Sequence, residues 1–134
     1  MWNNELQVVQ VRIARPTDQL DKVKEFYMEG LGLEVVGHFE NHQGYDGLMI
    51  GLPVKDYHLE FTQFVEGSPC PEPTHDNLLV FFIPDEKQIE VVVTRLTGTG
   101  YPVVEPENPY WAERGKMIED PDGWRIVLMN TNGI

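Results

Sequence analysis

The feature that most limits what this chain can fold into is a repeat at one constant spacing. Pro16 and Pro84, Val23 and Val91, and Gly32 and Gly100 all stand 68 positions apart. The same spacing relates Val35-Val36 to Val103-Val104, Gly47 to Gly115, and Met49-Ile50 to Met117-Ile118. Prolines, glycines and apolar pairs recurring in one order mark a supersecondary unit used twice. In the first copy, Val8, Val9, Val11 and Ile13 read as a short strand, and Pro16-Thr17-Asp18 supplies helix-start chemistry. Leu20, Val23, Phe26, Tyr27 and Leu31 then recur at helical spacing, ending at Gly30 and Gly32. Strands follow at Leu33–Val36, Leu48–Leu52 and Tyr57–Phe64, with turns at Gly44–Gly47 and Pro53–Asp56. Glu66–Thr74 is too rich in proline for helix or strand and serves as a connection. The second copy restarts with a strand at Leu78–Ile83 and a turn at Pro84-Asp85. A helix through Ile89, Val92, Val93 and Leu96 ends at Gly98 and Gly100, and a strand starts at Val103. These patterns predict one α+β domain over residues 1–134 made of two tandem βαβββ modules, at about 5–66 and 75–131. Such a unit carries its helix on one face of the sheet, so the other face must bury itself or bind something.

The second module closes with Gly115–Leu128. Asp120-Pro121-Asp122-Gly123 has the chemistry of a type I turn, with Asp first, Pro second and Gly fourth. Met117-Ile118 leads into the turn and Trp124–Met129 leaves it, a strand–turn–strand unit. This run resembles the last two strands of the glyoxalase/bleomycin-resistance/extradiol-dioxygenase superfamily, the vicinal oxygen chelate proteins, whose usual form is Asp-Pro-Asp-Gly-Asn-x-Ile-Glu-Leu. Phe26-Tyr27 with Leu31-Gly32-Leu33, and the Pro84-Asp85 turn, extend the resemblance over nearly the whole chain. It implies a curved mixed sheet with a central cleft, formed where two modules meet within a chain or across a homodimer. It does not fix a function, because the superfamily spans isomerases, dioxygenases, thiol transferases and metal-free drug-binding proteins.

In the metal-using members, ligands sit on the first and last strands of each module. The resemblance places these positions on Gln10, Glu60, Leu78 and Val127. Gln10 and Glu60 offer oxygen; Leu78 and Val127 can coordinate nothing, and two ligands fall short of a catalytic site. The expectation is therefore a small-molecule-binding protein without metal or other cofactor, its ligand held in the cleft. The alternative is a lyase, isomerase or dioxygenase using a divalent metal on Glu60 and Gln10, with His58 the nearest substitute ligand. His58 lies two residues before Glu60 and shares its face of the strand. His75, three residues before Leu78, reaches the site only by a register shift, and His38 and His42 lie beyond the second strand. Alternation puts Arg12 on the face of Gln10 and Arg125 on that of Val127, so two arginines are expected to approach Glu60. They either neutralise a partly buried carboxylate or grip an anionic ligand. Asn108-Pro109-Tyr110-Trp111 reads as a loop whose aromatic pair roofs an apolar cavity or packs against a neighbouring module.

Composition narrows the partners. A formal charge of −12 argues against nucleic acid, whose phosphates need a basic face. The same field draws cationic ligands toward an open cleft. No apolar run approaches the ~20 residues of a membrane helix, and Met1–Leu6 has neither the basic nor the apolar part of a secretory signal. With Cys70 as the one cysteine no internal disulfide can form, which suits a reducing cytoplasm. Between Pro69 and Pro71, with no basic neighbour, its thiol is a bystander. The expected partners are a small molecule and a second copy of the chain.

Overall fold

Both modules wind their strands the same way. The computed structural model describes residues 7–52, 56–68, 70 and 73–134. The first module runs β1 (Val11–Pro16), α1 (Leu20–Lys24, continued by a π-helical turn over Glu25–Gly30), β2 (Glu34–His42), β3 (Tyr45–Gly51) and β4 (Tyr57–Phe64). The second runs β5 (Leu78–Phe82), α2 (Glu86–Gly98), α3 (Tyr110–Glu113), β6 (Gly115–Glu119) and β7 (Arg125–Met129). Each builds its own sheet, in the orders β1-β4-β3-β2 and β5-β7-β6. In both, the first strand is parallel to the last, and the last is antiparallel to the strand before it. The place that β2 holds in the first sheet is reduced in the second to one bridge, Val104 to Met117. Pro102 and Pro106 flank that bridge and lack the N–H donors a longer ladder needs.

Strand register makes the repeat exact enough to compare positions. Met49 pairs with Glu60 in the first sheet and Met117 with Val127 in the second. Arg12 stands beside His58, and Leu78 beside Arg125. Met49, Glu60, His58 and Arg12 therefore correspond to Met117, Val127, Arg125 and Leu78.

The other face of each sheet packs on the helices, and the two packings are one core. Leu48, Ile50, Leu59 and Phe61 share a continuous buried cluster with Val23, Phe26 and Tyr27, and also with Ile89, Leu96, Ile118, Ile126 and Leu128 of the second module. Gly30 is where the helices meet: a Cβ there would collide with Leu96 Cδ2. Arg95 Nε donates to the Gly30 carbonyl at 3.0 Å, and Phe26 sits edge-on to Tyr101. Asp85 caps α2, its side chain accepting from Lys87 N at 3.0 Å.

Several local expectations shift. The first strand starts at Val11 and runs through Pro16, whose missing N–H is tolerated because β1 is an edge strand. The helix after it converts at Glu25 to a π turn that buries Phe26, Tyr27 and Gly30 together. The turn expected at Gly44–Gly47 lies earlier: β2 extends to His42, Gln43 and Gly44 carry positive φ (52° and 87°), and Tyr45 already begins β3. The turn read at Pro53–Asp56 falls largely outside the described residues. The Asp-Pro-Asp-Gly turn forms as read, with Gly123 N donating to Asp120 O at 3.0 Å. Among the described residues no helix is long and apolar enough to cross a membrane.

Candidate functional site

On β4 the alternation sends Leu59 and Phe61 into the core and turns His58 and Glu60 to the face without helices. There Arg12, on the adjoining strand, reaches both. Its Nε donates to His58 Nε2 at 2.8 Å and its Nη1 to Glu60 Oε2 at 3.2 Å. Arginine can only donate, so in this contact His58 Nε2 carries its lone pair and the ring proton is on Nδ1. The pairing is graded by depth: His58 is buried, the Glu60 side chain is 13% exposed and that of Arg12 46%. Apolar surface adjoins this polar group. The Phe39 ring lies where a Cβ on Gly47 would project, and Val36 where one on Gly51 would. Both glycines alternate with Met49, on the face of Glu60.

The corresponding face of the second module is filled from within. Met117, Val127 and Met129 are buried as a separate cluster, with Leu78, Val80, Val104 and Trp111 packed against it. Trp111 does not come from a loop, as expected, but from helix α3. Pro109 sits at its N-terminus, where proline's fixed φ and missing N–H cost little. Tyr110 is 57% exposed and meets Trp111 edge-on, with ring centroids 5.1 Å apart. Thus Leu78, Val127 and Trp111 share one cluster, Arg12, His58 and Glu60 another, and Gln10 lies exposed just before β1.

Arg125 departs from the expectation that it approaches Glu60. It is buried, with Nη1 donating to Glu105 O at 3.0 Å and toward Met117 Sδ at 3.4 Å, while Nε lies 3.5 Å from Glu119 Oε2 without a hydrogen bond. Glu119 lies opposite Arg125 on β6 and the Glu105 carbonyl follows the Val104 bridge, so local partners claim the guanidinium first. His75 likewise pairs with Glu107 at 3.0 Å on the surface, and His38 and His42 are exposed on β2. Burial, reinforced by Asp18 and Asp122, raises the Cys70 thiol above its usual pKa, which fits a bystander. Among the described residues, no three His, Cys, Asp or Glu side chains converge as a metal site would require.

Sequence reasoning passed over two further groups. One is the tie between modules: Tyr27 Oη donates to Asp120 Oδ2 at 2.7 Å, and Gln19 Nε2 to Pro121 O and Asp122 Oδ1 at 2.9 and 2.7 Å. The Asp opening the Asp-Pro-Asp-Gly turn was its visible half. The other is an open hollow of about 600 Å³ lined by Asp18, Lys22, His38, Glu40, Asp46 and Gln63 among others. Two of its carboxylates already serve the backbone: Asp18 accepts from Ser68 N and Asp46 from Asn41 N.

Tandem modules of the βαβββ kind, the first with a helix-free sheet face and the second with that face covered by α3 and its second strand reduced to a bridge, define a protein of the glyoxalase/bleomycin-resistance fold, in the vicinal oxygen chelate superfamily. Residues 11–62 match the YycE-like N-terminal domain and residues 76–130 the YycE-like C-terminal domain. The chain belongs to the YycE-like family: it is 56% identical over 128 residues to protein YycE of Bacillus subtilis (strain 168), covering 96% of this chain and 92% of that protein. A crystal structure of a YycE protein from Bacillus subtilis, of unknown function and provisionally grouped with glyoxalase and fosfomycin resistance proteins, superposes with a TM-score of 0.94 at 54% identity, covering 98% and 96% of the two chains. TnmS3, an antibiotic binding protein from Streptomyces sp. CB03234, matches at a TM-score of 0.66 and 25% identity over 95% and 98%. The fosfomycin resistance protein FosX from Mesorhizobium loti shares the fold, at a TM-score of 0.70 and 15% identity over 90% of each chain.

Proposed function

We propose that this protein binds a small molecule without a metal, on the helix-free sheet face of its first module. The observation that carries this reading is the Arg12 guanidinium on His58 and Glu60. It engages the imidazole lone pair and the carboxylate that a metal would need. The corresponding positions of the second module, Leu78 and Val127, supply no ligands and lie packed in its own apolar cluster, while Val36, Phe39 and Met49 give the first module's face its apolar surface. A mostly apolar surface with a few placed polar groups is what small-ligand sites use. The antibiotic binding of TnmS3 supports the reading by analogy. A homodimer in the cytoplasm fits it, with one polar face and one apolar face meeting across chains. Gln10 and Tyr110, both exposed, then flank the ligand, while Arg125 stays buried among its local partners.

The test is elemental analysis of protein purified without chelator, with thermal shifts on adding Zn, Ni, Mn, Fe(II) or Co. Binding to the native state raises the melting temperature by mass action. The expected result is no stoichiometric metal and no shift, followed by shifts with members of a panel of cationic antibiotics and small aromatic acids. About one metal per chain, with a shift abolished by Glu60→Gln, overturns the reading in favour of a metal enzyme. Glu60→Gln should itself cost under about 1 kcal/mol, because its ion-pair partner is half-exposed. A much larger loss in urea denaturation would make Glu60 a structural residue.

A further inference from the structure

We propose that Arg12 is the resident cation of this site, standing where His58 and Glu60 would hold a divalent metal, and that its remaining donors receive an oxyanion carried by a ligand with an apolar body. The inference rests on the metal-independent reading and gives it a ligand class. An imidazole nitrogen and a carboxylate oxygen are both metal-type donors. Here they converge on neighbouring nitrogens of one guanidinium. His58 and Glu60 are the deeper members, held by β4 in the middle of the sheet, and they fix the exposed member. A carboxylate largely removed from water needs a cation, and arginine stays charged at any physiological pH.

Those two bonds use two of the guanidinium's five N–H donors. Planar N–H donors on a side chain that is 46% exposed suit the paired oxygens of a carboxylate or phosphate group. Val36, Phe39 and Met49 on the same face add apolar surface for the rest of the ligand. The chain's charge of −12 works against an anion at long range. That field is screened beyond about 8 Å at physiological salt, so at contact the local donors decide.

The experiment has two arms on the full chain. In the first, wild type, Arg12→Gln and Arg12→His are titrated calorimetrically with benzoate, phenyl phosphate and the neutral benzamide. Wild type should hold benzoate or phenyl phosphate at least about tenfold tighter than benzamide, and Arg12→Gln should lose about that factor, as expected for a hydrogen bond to a charged group. Which of the two wins separates a carboxylate from a phosphate ligand. In the second arm, zinc and nickel are titrated into the same proteins, with circular dichroism confirming that each is folded. Arg12→His should take up about one metal per chain while wild type takes none, because it completes a set of two imidazoles and a carboxylate. A folded Arg12→His without metal, or wild type that holds benzamide as tightly as both acids, overturns the inference and leaves the metal-independent reading standing. Metal uptake by wild type overturns both.

Discussion

Tyr27 and Asp120 come from different modules and meet in the interior with almost no exposure. The Tyr27 hydroxyl donates to Asp120 Oδ2, while Oδ1 accepts from Asp122 N and Trp124 N, both at 2.9 Å. Burial raises the Asp120 carboxyl above its ordinary pKa, opposed by the hydrogen bonds from Tyr27, Trp124 and Asp122. Burial, and then the Asp120 charge, pushes the Tyr27 hydroxyl well above the ordinary value of 10.0. Tyr27→Phe keeps the ring and removes the donor, so it should cost ~1.5–3 kcal/mol, the range for a hydrogen bond to a charged group. The pH dependence has a definite sign. The folded state holds the Tyr27 proton more tightly than the unfolded chain does. Its contribution is fully present below pH 10.0 and is lost as pH rises toward the folded value. Asp120 follows the same rule in acid: its contribution is complete below its ordinary 3.8 and declines as pH rises through the raised folded value. Urea denaturation at rising alkaline pH should show wild type losing stability faster than Tyr27→Phe. Some slope remains in the variant, because burial also raises Tyr101. Equal slopes would mean that Tyr27 ionises freely in the folded protein.

Helix α3 shows what was legible in the sequence and what was not. Strands with strict alternation could be read outright: Tyr57–Phe64 has the expected ends, and its Glu60 meets Arg12 as the side-chain period requires. The turn Asp120–Gly123 could be read because its chemistry is local. Where tertiary packing decides, reading failed. Asn108–Trp111 looked like a loop because proline and asparagine hide one turn of helix, and only the methionine cluster beneath Trp111 gives that turn a reason to form. Arg125 was misplaced because the Glu105 carbonyl lies in an irregular segment that no periodicity locates. Gly115 controls this helix. A Cβ there would collide with the Trp111 carbonyl and come within 3.1 Å of Met129 Sδ and Val127 Cγ1. A backbone oxygen cannot rotate aside, so Gly115→Ala should push α3 off the sheet at a cost of ~1–3 kcal/mol. Limited trypsin digestion would report it as faster cleavage after Arg114, since a loosened helix opens more often. Unchanged cleavage with unchanged stability would show that α3 does not depend on this close approach.

At the scale of the molecule, the repeat suggests two small folding units, and the packing makes them one. Module one alone would keep Val23, Phe26 and Tyr27 against β3 and β4, but the same cluster continues through Leu96, Ile118 and Leu128. Splitting it would expose Phe26 where Tyr101 covers it and Gly30 where Leu96 does, and would leave Tyr27 and Asp120 each without the other. Each half is about the ~60 residues at which a lone domain becomes marginal, so little stability is left to absorb that loss. The intact chain should therefore unfold in one cooperative transition, with circular dichroism and tryptophan fluorescence giving coincident curves. The halves, divided within the proline-rich connection at Cys70 and expressed separately, should each lack cooperative unfolding and recover it on mixing. A first half that melts cooperatively alone would show that the shared core is not needed for folding. Arg12, His58 and Glu60, all in that half, would then be held by one module's sheet and helix. If only the mixture folds, the geometry of this polar group depends on the second module behind it, although its hydrogen bonds join Arg12 to His58 and Glu60 within the first module. Oxyanion binding by the separate and mixed halves would then rise and fall with the shared core.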